Sequence, residues 1–453
     1  MTCTKTAFVE RSLPDGIELP YAALLVLCVA GAAYSLIFTI VAAVLAVSIL
    51  MKANMQRLLE VQFLLLPMAG VLQIAGGFSI LNIVFIVALV RAFQLNGCRI
   101  EKPVALLLSI ILVVDAMSLL RSGGSGFFDL MAFNVQILTL GFVLSWRSEI
   151  DLRRIVRLYA ASLVFSSLIC VFSDYLPGIK SYIRDVSFRY SDSGESLSRY
   201  AGLMGNPNYY TLSLNVAIAV LVSRIVVAKG RFLDVVLIVL MVVFGLLSLS
   251  KSFVLALAFT MLVVVAYLVV SRPLRTGLFL IAIMAVAVIA LLAIGPQYAD
   301  VLLERLLPGF GVASVDINQY TTYRFDKFAL YTDYLVSHVD VLLFGNGFGM
   351  LIDGHASHNI FLEGIYYFGC IGFILLCAIF VYAAAICATG KGFLRFLPLL
   401  VFLVRGLAIN AWSSITLAFY LAIILLELRE DLLPGGRLSQ ERDLKEGTIP
   451  HVR

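Results

Sequence analysis

Residues 232–249, FLDVVLIVLMVVFGLLSL, and residues 253–270, FVLALAFTMLVVVAYLVV, are two apolar stretches separated by Ser250, Lys251 and Ser252. An α-helix rises 1.5 Å per residue, so about 20 apolar residues cross a hydrocarbon core roughly 30 Å thick. Each stretch is close to that length, and the only charged side chain in the two is Asp234. The pair therefore predicts two membrane-spanning helices joined by a short polar turn.

Similar stretches recur on both sides of this pair. The segment Pro20 to Met51 is long enough for one tilted helix or for two short helices joined at Gly31, and both possibilities stay open. We predict an all-α polytopic membrane protein with about 12 to 14 transmembrane helices, forming a single domain over residues 1–453. The other predicted spans are 59–75, 78–95, 103–120, 128–146, 155–175, 208–227, 276–294, 366–388, 395–408 and 411–427.

The composition excludes an ordinary soluble domain. Hydrophobic residues make up 61% of the chain and charged residues 13%, against roughly 45 to 50% and about 25% in soluble domains. The net charge of +5 is scattered between apolar stretches instead of forming a basic patch, so we expect no nucleic-acid partner. Seven cysteines without a CxxC pair give little support to disulfide or zinc sites.

The distribution of basic residues predicts the orientation. Short loops rich in lysine and arginine mark the cytoplasmic side of a multi-span protein. With the spans above, such loops fall on one face, while the long polar segments 177–206 and 295–357 fall on the opposite, extracytoplasmic face, and the tail 429–453 is cytoplasmic. The residues that set this orientation are Lys52, Arg57, Arg99, Lys102, Arg147, Arg153, Arg154, Arg157, Lys229, Arg231, Arg272, Arg275, Lys391 and Arg395.

The first long loop ends in Arg199-Tyr-Ala-Gly-Leu-Met-Gly-Asn-Pro-Asn208, a segment rich in turn-forming residues. Backbone N–H groups at the start of the following span, together with a guanidinium, suit the binding of an oxyanion. A solvated turn whose arginines contact lipid headgroups is the alternative interpretation. Lys251 lies in a turn on the same face, where it either extends to water or faces the same site.

The second long loop contains Arg324-Phe-Asp-Lys-Phe, Gly345-Asn-Gly-Phe-Gly349 and Gly354-His-Ala-Ser-His-Asn-Ile-Phe-Leu-Glu-Gly364. An imidazole titrates near neutral pH and serves as acid, base or metal ligand. His355 and His358 lack a third ligand at helical spacing, so no metal is expected. A hydrogen-bonded structural role is the alternative for His355, and His358 is the better candidate for chemistry.

Three charged residues fall within predicted spans. A charged side chain in lipid is costly and usually faces a cavity or a partner, although one near a helix end also reaches the interface by extending its side chain. These residues are Asp115, Arg224 and Arg405.

Taken together, several motifs resemble those of the bacterial O-antigen polymerase and O-antigen ligase superfamily. The resemblance covers roughly residues 155–390 and is most specific at His358-Asn-Ile-Phe-Leu-Glu363, before Gly369-x-x-Gly372. The other matching motifs are the Arg199–Asn208 segment, Ser248-Leu-Ser-Lys-Ser252 and the Arg324 segment with its Gly-Asn-Gly-Phe-Gly.

The resemblance implies a metal-independent glycosyltransferase without a cofactor, which joins glycans carried on undecaprenyl diphosphate at the periplasmic face of the inner membrane. It assigns Arg199 and Arg324 to the diphosphate and His358 to the base or to positioning of the acceptor. It further suggests membrane lipid and a chain-length regulator as partners. Substrate-binding roles fall to His355, Asn208, Lys251 and Asn359.

Three functions remain open at this stage. A polymerase transfers the glycan to another lipid-linked repeat unit, whereas a ligase transfers it to lipid A-core. We favour a polymerase that makes O-antigen, capsule or exopolysaccharide, because many spans and two arginine-bearing loops are typical of polymerases. A flippase for lipid-linked glycans is a third possibility, but transporters usually show internal repeats and ionisable groups near the bilayer midplane.

Overall fold

The computed structural model describes most of the helical part of the chain. The predicted span 276–294 lies outside the described residues except for three isolated positions, and so do residues 307–322 of the second loop and the tail 429–453. The described residues are 18–73, 79–96, 100, 102–124, 126–146, 150–186, 189–190, 197–228, 232–271, 285, 289, 292, 301–303, 306, 323–387, 393–410, 412 and 417–428.

These residues fold almost entirely into α-helices. A two-residue hairpin in the first long loop pairs β1 (Arg189–Tyr190) with β2 (Leu197–Ser198). The helices are α1 (Leu19–Ala33), α2 (Leu36–Met51), α3 (Met55–Leu65), α4 (Ile80–Asn96), α5 (Lys102–Arg121), α6 (Phe127–Ser145), α7 (Leu152–Val171), α8 (Pro177–Val186), α9 (Pro207–Ala228), α10 (Phe232–Leu247), α11 (Lys251–Ser271), α12 (Arg324–Ser337), α13 (Val339–Phe344), α14 (Ile360–Cys387), α15 (Leu397–Gly406) and α16 (Leu417–Leu428).

The prediction of an all-α polytopic membrane protein is confirmed. Among the described residues, α5, α7, α9, α11 and α14 are long and apolar enough to cross a bilayer. Helices α1, α2, α4, α6 and α10 are also apolar but shorter. Apolar side chains on the outside of the bundle, such as Ile37, Ile40 and Val44 of α2, are exposed as lipid contact requires. The chain is therefore a membrane protein.

Helices α7 and α9 form the centre of the bundle. Within their apolar windows, 67% of the residues of α7 and 83% of those of α9 are buried, against 33% for α11. Small hydroxyl residues let neighbouring backbones approach α7 closely, since Ser162 donates to the Leu64 carbonyl at 2.6 Å and Ser166 to the Pro67 carbonyl at 3.3 Å. Because α7 and α9 are the most buried of these helices, their ends give fixed positions to the loops and side chains at the two ends of the bundle.

Two buried arginines of this central pair have carboxylate partners. Arg157 of α7 binds Asp234 of α10 through two hydrogen bonds of 2.6 and 2.9 Å. Arg224 of α9 donates to Glu427 of α16 at 3.0 Å. Pairing offsets the cost of burying each charge, so the predicted intramembrane Arg224 has a structural explanation.

The segment from Pro20 to Met51 forms two helices, α1 and α2, which pack against each other. The break lies at Tyr34 and Ser35 and not at Gly31, because the Ser35 hydroxyl accepts a hydrogen bond from the Ile37 N–H and so caps α2. Gly31 lies inside α1, where an added Cβ would meet the backbone and side chain of Thr39. Its role is close packing of the two helices.

Helix α14 is broken at Gly369, whose φ of 67° and ψ of 170° are not helical. The break leaves the carbonyl groups of Tyr366 and Tyr367 without their intrahelical donors. Asn346 N–H donates to the first at 2.7 Å and Gly347 N–H to the second at 3.2 Å. The Gly-Asn-Gly-Phe-Gly segment thus supplies hydrogen-bond donors to the carbonyl groups freed by the break. This explains structurally both that motif and Gly369-x-x-Gly372.

Replacing Gly369 with alanine should lower the free energy of unfolding by about 2–5 kcal/mol, because the backbone conformation is nearly restricted to glycine and the methyl group would meet the Leu343 carbonyl. Thermal unfolding of the purified protein in detergent measures this loss. Gly354→Ala is the matched control, since Gly354 has a φ of +75° but no atom near its added Cβ; it should cost only about 1 kcal/mol. Equal losses in the two variants would contradict the packing role of Gly369.

Candidate functional site

Four elements bring polar side chains together at one end of the bundle: the first turns of α9 and α11, the end of α15, and residues 355–359 before α14. Arg405 of α15 joins three of them. Its guanidinium donates to the Asn208 carbonyl and the Thr211 hydroxyl, both at 2.9 Å, and to the Ser252 hydroxyl. We call the set of Asn208, Thr211, Ser252 and Arg405 the inner cluster.

Arg405 is buried without an anionic partner. The residue is only 1% exposed, and its Nε has no hydrogen-bond partner. No carboxylate of the described residues forms an ion pair with it, in contrast to Arg157 and Arg224. Neutral oxygens alone offset only part of the free-energy cost of burying a guanidinium, so a negative charge bound at this position would be stabilising.

A second group of cations adjoins the inner cluster. Arg324 is the first residue of α12, and Lys327 lies one turn further along the same helix. The positive charge of Arg324 acts on Arg405, and those of Arg324 and Lys327 act on His358. We call Arg324, Lys327 and His358 the outer cluster. The two clusters together contain three cationic side chains, Arg324, Lys327 and Arg405, and Asp326 also lies in the first turn of α12.

His358 has a strained backbone and a neutral imidazole. Its φ of +54° is uncommon for a non-glycine residue, and such strain is concentrated at functional sites. Burial lowers the pKa of His358 to about 4, and the charges of Lys327 and Arg324 act in the same direction. At neutral pH the ring is therefore unprotonated and has a nitrogen available to accept a proton.

Asn359 caps helix α14. Its side-chain oxygen accepts hydrogen bonds from the N–H groups of Phe361 at 2.9 Å and Leu362 at 3.2 Å. The neighbouring Ser357 hydroxyl donates to the Asn359 carbonyl at 3.0 Å and accepts from its N–H at 3.1 Å. The structure thus gives Asn359 the task of fixing the start of α14, and with it the backbone that carries His358.

The imidazole of His355 is exposed, whereas its backbone is engaged on both sides. Its N–H donates to the Ile352 carbonyl at 2.9 Å, and its carbonyl accepts from the Tyr331 hydroxyl at 2.8 Å. These bonds hold the loop before α14 against α12. They give His355 a structural role through its main chain.

The residues predicted from the first loop lie beside the inner cluster. Arg199 donates through Nε to the Ser248 carbonyl at 3.1 Å, which attaches the first loop to the joint between α10 and α11. Lys251 begins α11 immediately before Ser252. Asn208 contributes its carbonyl to Arg405, and its N–H donates to the Asn206 side chain at 2.8 Å. Asn208 and Lys251 therefore lie at the starts of two helices, α9 and α11, that are distant in sequence and that both contact Arg405.

Five residues of this region were not among the predicted site residues: Thr211, Ser252, Lys327, Glu363 and Arg405. Glu363 is fully buried and accepts from the Tyr367 hydroxyl at 2.9 Å, while one of its oxygens lacks a partner. Arg405 was recognisable as a charge within an apolar stretch, and Glu363 as part of the His-Asn-x-x-Leu-Glu motif. Only helix spacing from Arg324 could have indicated Lys327.

An apolar cavity of about 350 Å³ lies between α5, α13 and α14, away from both clusters. Its lining includes Met117, Leu343, Phe344, Phe368 and Ile371, and no charged residue. The half-helix from Ile360 to Phe368, about 13 Å long at 1.5 Å per residue, separates it from the start of α14. This cavity suits a hydrocarbon chain and not a phosphate group.

Comparisons with known proteins identify no relative: no protein-family profile, no curated protein and no solved structure matches the chain.

The imidazole of His358 should stay neutral down to about pH 5, and Lys327→Gln should raise its pKa because one repelling charge is removed. NMR of the protein labelled with ¹⁵N-histidine measures both effects. Since the folded-state pKa lies below the ordinary value of 6.5, His358 contributes stability above about pH 6.5 that is lost as the pH falls towards 4. Lys180→Gln, in the first loop, is the control. A protonated His358 at pH 7 would contradict the assignment.

Proposed function

We propose that this protein polymerises lipid-linked oligosaccharide repeat units at the periplasmic face of the bacterial inner membrane. The donor is a glycan on undecaprenyl diphosphate, and the product is O-antigen, capsule or exopolysaccharide. The observation that carries the proposal is the position of a neutral, strained His358 beside the cations Arg324 and Lys327. A glycosyl transfer from a diphosphate needs both a base and cations.

The proposed reaction assigns one task to each group. The acceptor hydroxyl attacks the anomeric carbon of the donor and passes its proton to the imidazole of His358. A new C–O bond forms while the bond between the anomeric carbon and the diphosphate oxygen breaks. The leaving undecaprenyl diphosphate carries the electron pair. Its negative charge is stabilised by the ammonium group of Lys327 and by Arg324 and Arg199, whose fork-shaped guanidinium groups suit phosphate oxygens.

One further feature agrees with a lipid-borne substrate. The apolar cavity beside α14 offers space for part of a hydrocarbon chain. His355 and Asn359 support the proposed base through the loop and cap that hold it, so their contribution to substrate binding is through position. Lys251 and Asn208 would border the diphosphate from the first turns of α11 and α9.

An O-antigen ligase, with lipid A-core as the acceptor, would use the same groups. The preference for a polymerase rests on the predicted number of spans and on the arginines of both long loops. A chain-length regulator is the proposed protein partner. A flippase for lipid-linked glycans is less favoured, because it has no use for a base such as His358.

Deleting the gene from its host distinguishes these functions. A polymerase predicts single repeat units on lipid A-core, or loss of capsule with accumulation of single lipid-linked units. Gel electrophoresis of surface polysaccharide, together with analysis of undecaprenyl-linked glycans, measures both. Long lipid-linked chains beside bare lipid A-core would indicate the ligase, and glycans retained on the cytoplasmic side would indicate the flippase.

Arg199→Ala, Arg324→Ala and His358→Ala should each reduce glycan transfer at least about 100-fold while leaving membrane insertion intact. Arg324→Lys should also be impaired, because an ammonium group cannot reproduce the planar fork. Transfer by the purified protein to a lipid-linked acceptor measures these effects. Lys180→Gln is the control, since Lys180 lies on the exposed surface of the first loop, where it pairs with Asp174. Wild-type transfer in a correctly inserted variant would remove that residue from the site.

Adding a chelator of divalent metal ions to the purified protein should leave the rate of transfer unchanged, because the proposed chemistry uses arginine and lysine side chains to neutralise the diphosphate. The same transfer assay, with and without chelator, measures this. Strong inhibition that is reversed by a divalent cation would contradict the metal-independent mechanism.

A further inference from the structure

We infer that the inner cluster is a phosphate subsite in which Arg405 binds the more deeply buried phosphate of the substrate. This inference rests on the proposed function for the identity of that phosphate, which would belong to a lipid-linked diphosphate. Arg324 and Lys327 of the outer cluster would then bind the more exposed phosphate. Neither the sequence motifs nor their resemblance to a family assigns a role to Arg405.

The lack of compensation for its charge distinguishes Arg405 from the structural arginines of the bundle. Arg157 and Arg224 each face a carboxylate at hydrogen-bond distance. Arg405 instead faces one carbonyl and two hydroxyl groups, and its Nε has no partner. If the only role of this position were to hold helices together, a side chain with a neutral hydrogen-bond donor would be more stabilising than arginine, because a buried cation without an anion is costly.

The surroundings of Arg405 favour an anion. Asn208 belongs to the first turn of α9, a helix of 22 residues, and Thr211 begins its second turn. Ser252 belongs to the first turn of α11, a helix of 21 residues. Helix N-termini carry partial positive charge and N–H groups without intrahelical acceptors. The partial positive charge of these two termini and the charge of Arg324 all raise the cost of burying the Arg405 guanidinium, and a bound anion would lower that cost.

The chemistry of the ligand follows from these groups. Hydroxyl groups of Thr211 and Ser252 lie within hydrogen-bond reach of the Arg405 guanidinium. To donate to an oxygen that this guanidinium binds, the Thr211 hydroxyl would turn away from the Pro207 carbonyl, which accepts from it at 2.8 Å. A tetrahedral oxyanion with several oxygens uses a planar guanidinium fork and two hydroxyl donors at once. A phosphate group meets this description, and the apolar environment strengthens each charge-assisted bond.

Binding of inorganic pyrophosphate to the full-length protein in phosphatidylcholine nanodiscs tests this inference without requiring catalysis. Titration calorimetry should show binding by the wild type and at least tenfold weaker binding by Arg405→Lys, because a point charge cannot replace the fork. Thr211→Val, which removes one hydroxyl while conserving side-chain shape, should weaken binding about three- to tenfold. Unchanged pyrophosphate affinity in Arg405→Lys would overturn the inference.

Arg224→Lys is the matched control, because Arg224 is also buried but is paired with Glu427. It should lower the unfolding temperature while leaving pyrophosphate affinity within about twofold of the wild type. If Arg405 only holds α9, α11 and α15 together, Arg405→Lys should behave in the same way. That result would also overturn the inference, even where the variant is less stable.

Two further measurements separate the possible outcomes. Replacing phosphatidylcholine with phosphatidylglycerol in the nanodiscs should change the unfolding temperatures of the wild type and of Arg405→Lys by the same amount. A stabilisation that requires Arg405 would make the ligand a phospholipid headgroup and overturn the assignment to a diphosphate. Pyrophosphate binding that depends on Arg405, in a protein without glycan transfer, would refute the proposed function while supporting the subsite. Transfer with Arg405→Lys at the wild-type rate and affinity would refute the subsite alone.

Discussion

Inside a bilayer, each backbone N–H and C=O group has to find a partner within the protein, and this constraint governs the broken helix α14. The break at Gly369 frees the carbonyls of Tyr366 and Tyr367, which accept hydrogen bonds from Asn346 and Gly347. Helix α14 and the segment after α13 therefore hold each other in place. The half-helix before the break, and the loop that precedes it, inherit a fixed position from these bonds.

Side-chain hydrogen bonds extend this support to the candidate site. Trp412 donates to the Ile360 carbonyl at 2.5 Å, and Tyr209 donates to the Asn410 carbonyl at 2.7 Å. The first bond attaches the start of α14 to the segment between α15 and α16, and the second attaches that segment to α9. Groups that are held by such a second layer of contacts keep their geometry during binding, which favours preorganised chemistry at His358.

Carboxylate partners distinguish Arg157 and Arg224 from Arg405 in this bundle. Arg157 and Arg224 have carboxylate partners in α10 and α16, so their role is satisfied within the fold. Arg405 has none among the described residues, and Arg324 lies near enough for their charges to interact. A buried guanidinium that contacts no carboxylate among the described residues favours the binding of an anion, which is the physical basis of the proposed phosphate subsite.

The sequence by itself determined the all-α membrane architecture, because long apolar stretches have few alternatives in lipid, where the backbone must be hydrogen-bonded internally. It also made His358 and Arg324 candidates for a site, since both lie in an unusually polar segment between such stretches. The position of the break between α1 and α2, the capping role of Asn359 and the placement of Arg405 depended on tertiary structure. Arg405 lies 197 residues from Asn208 and 153 from Ser252 in the chain, and no local pattern records which helix ends will meet.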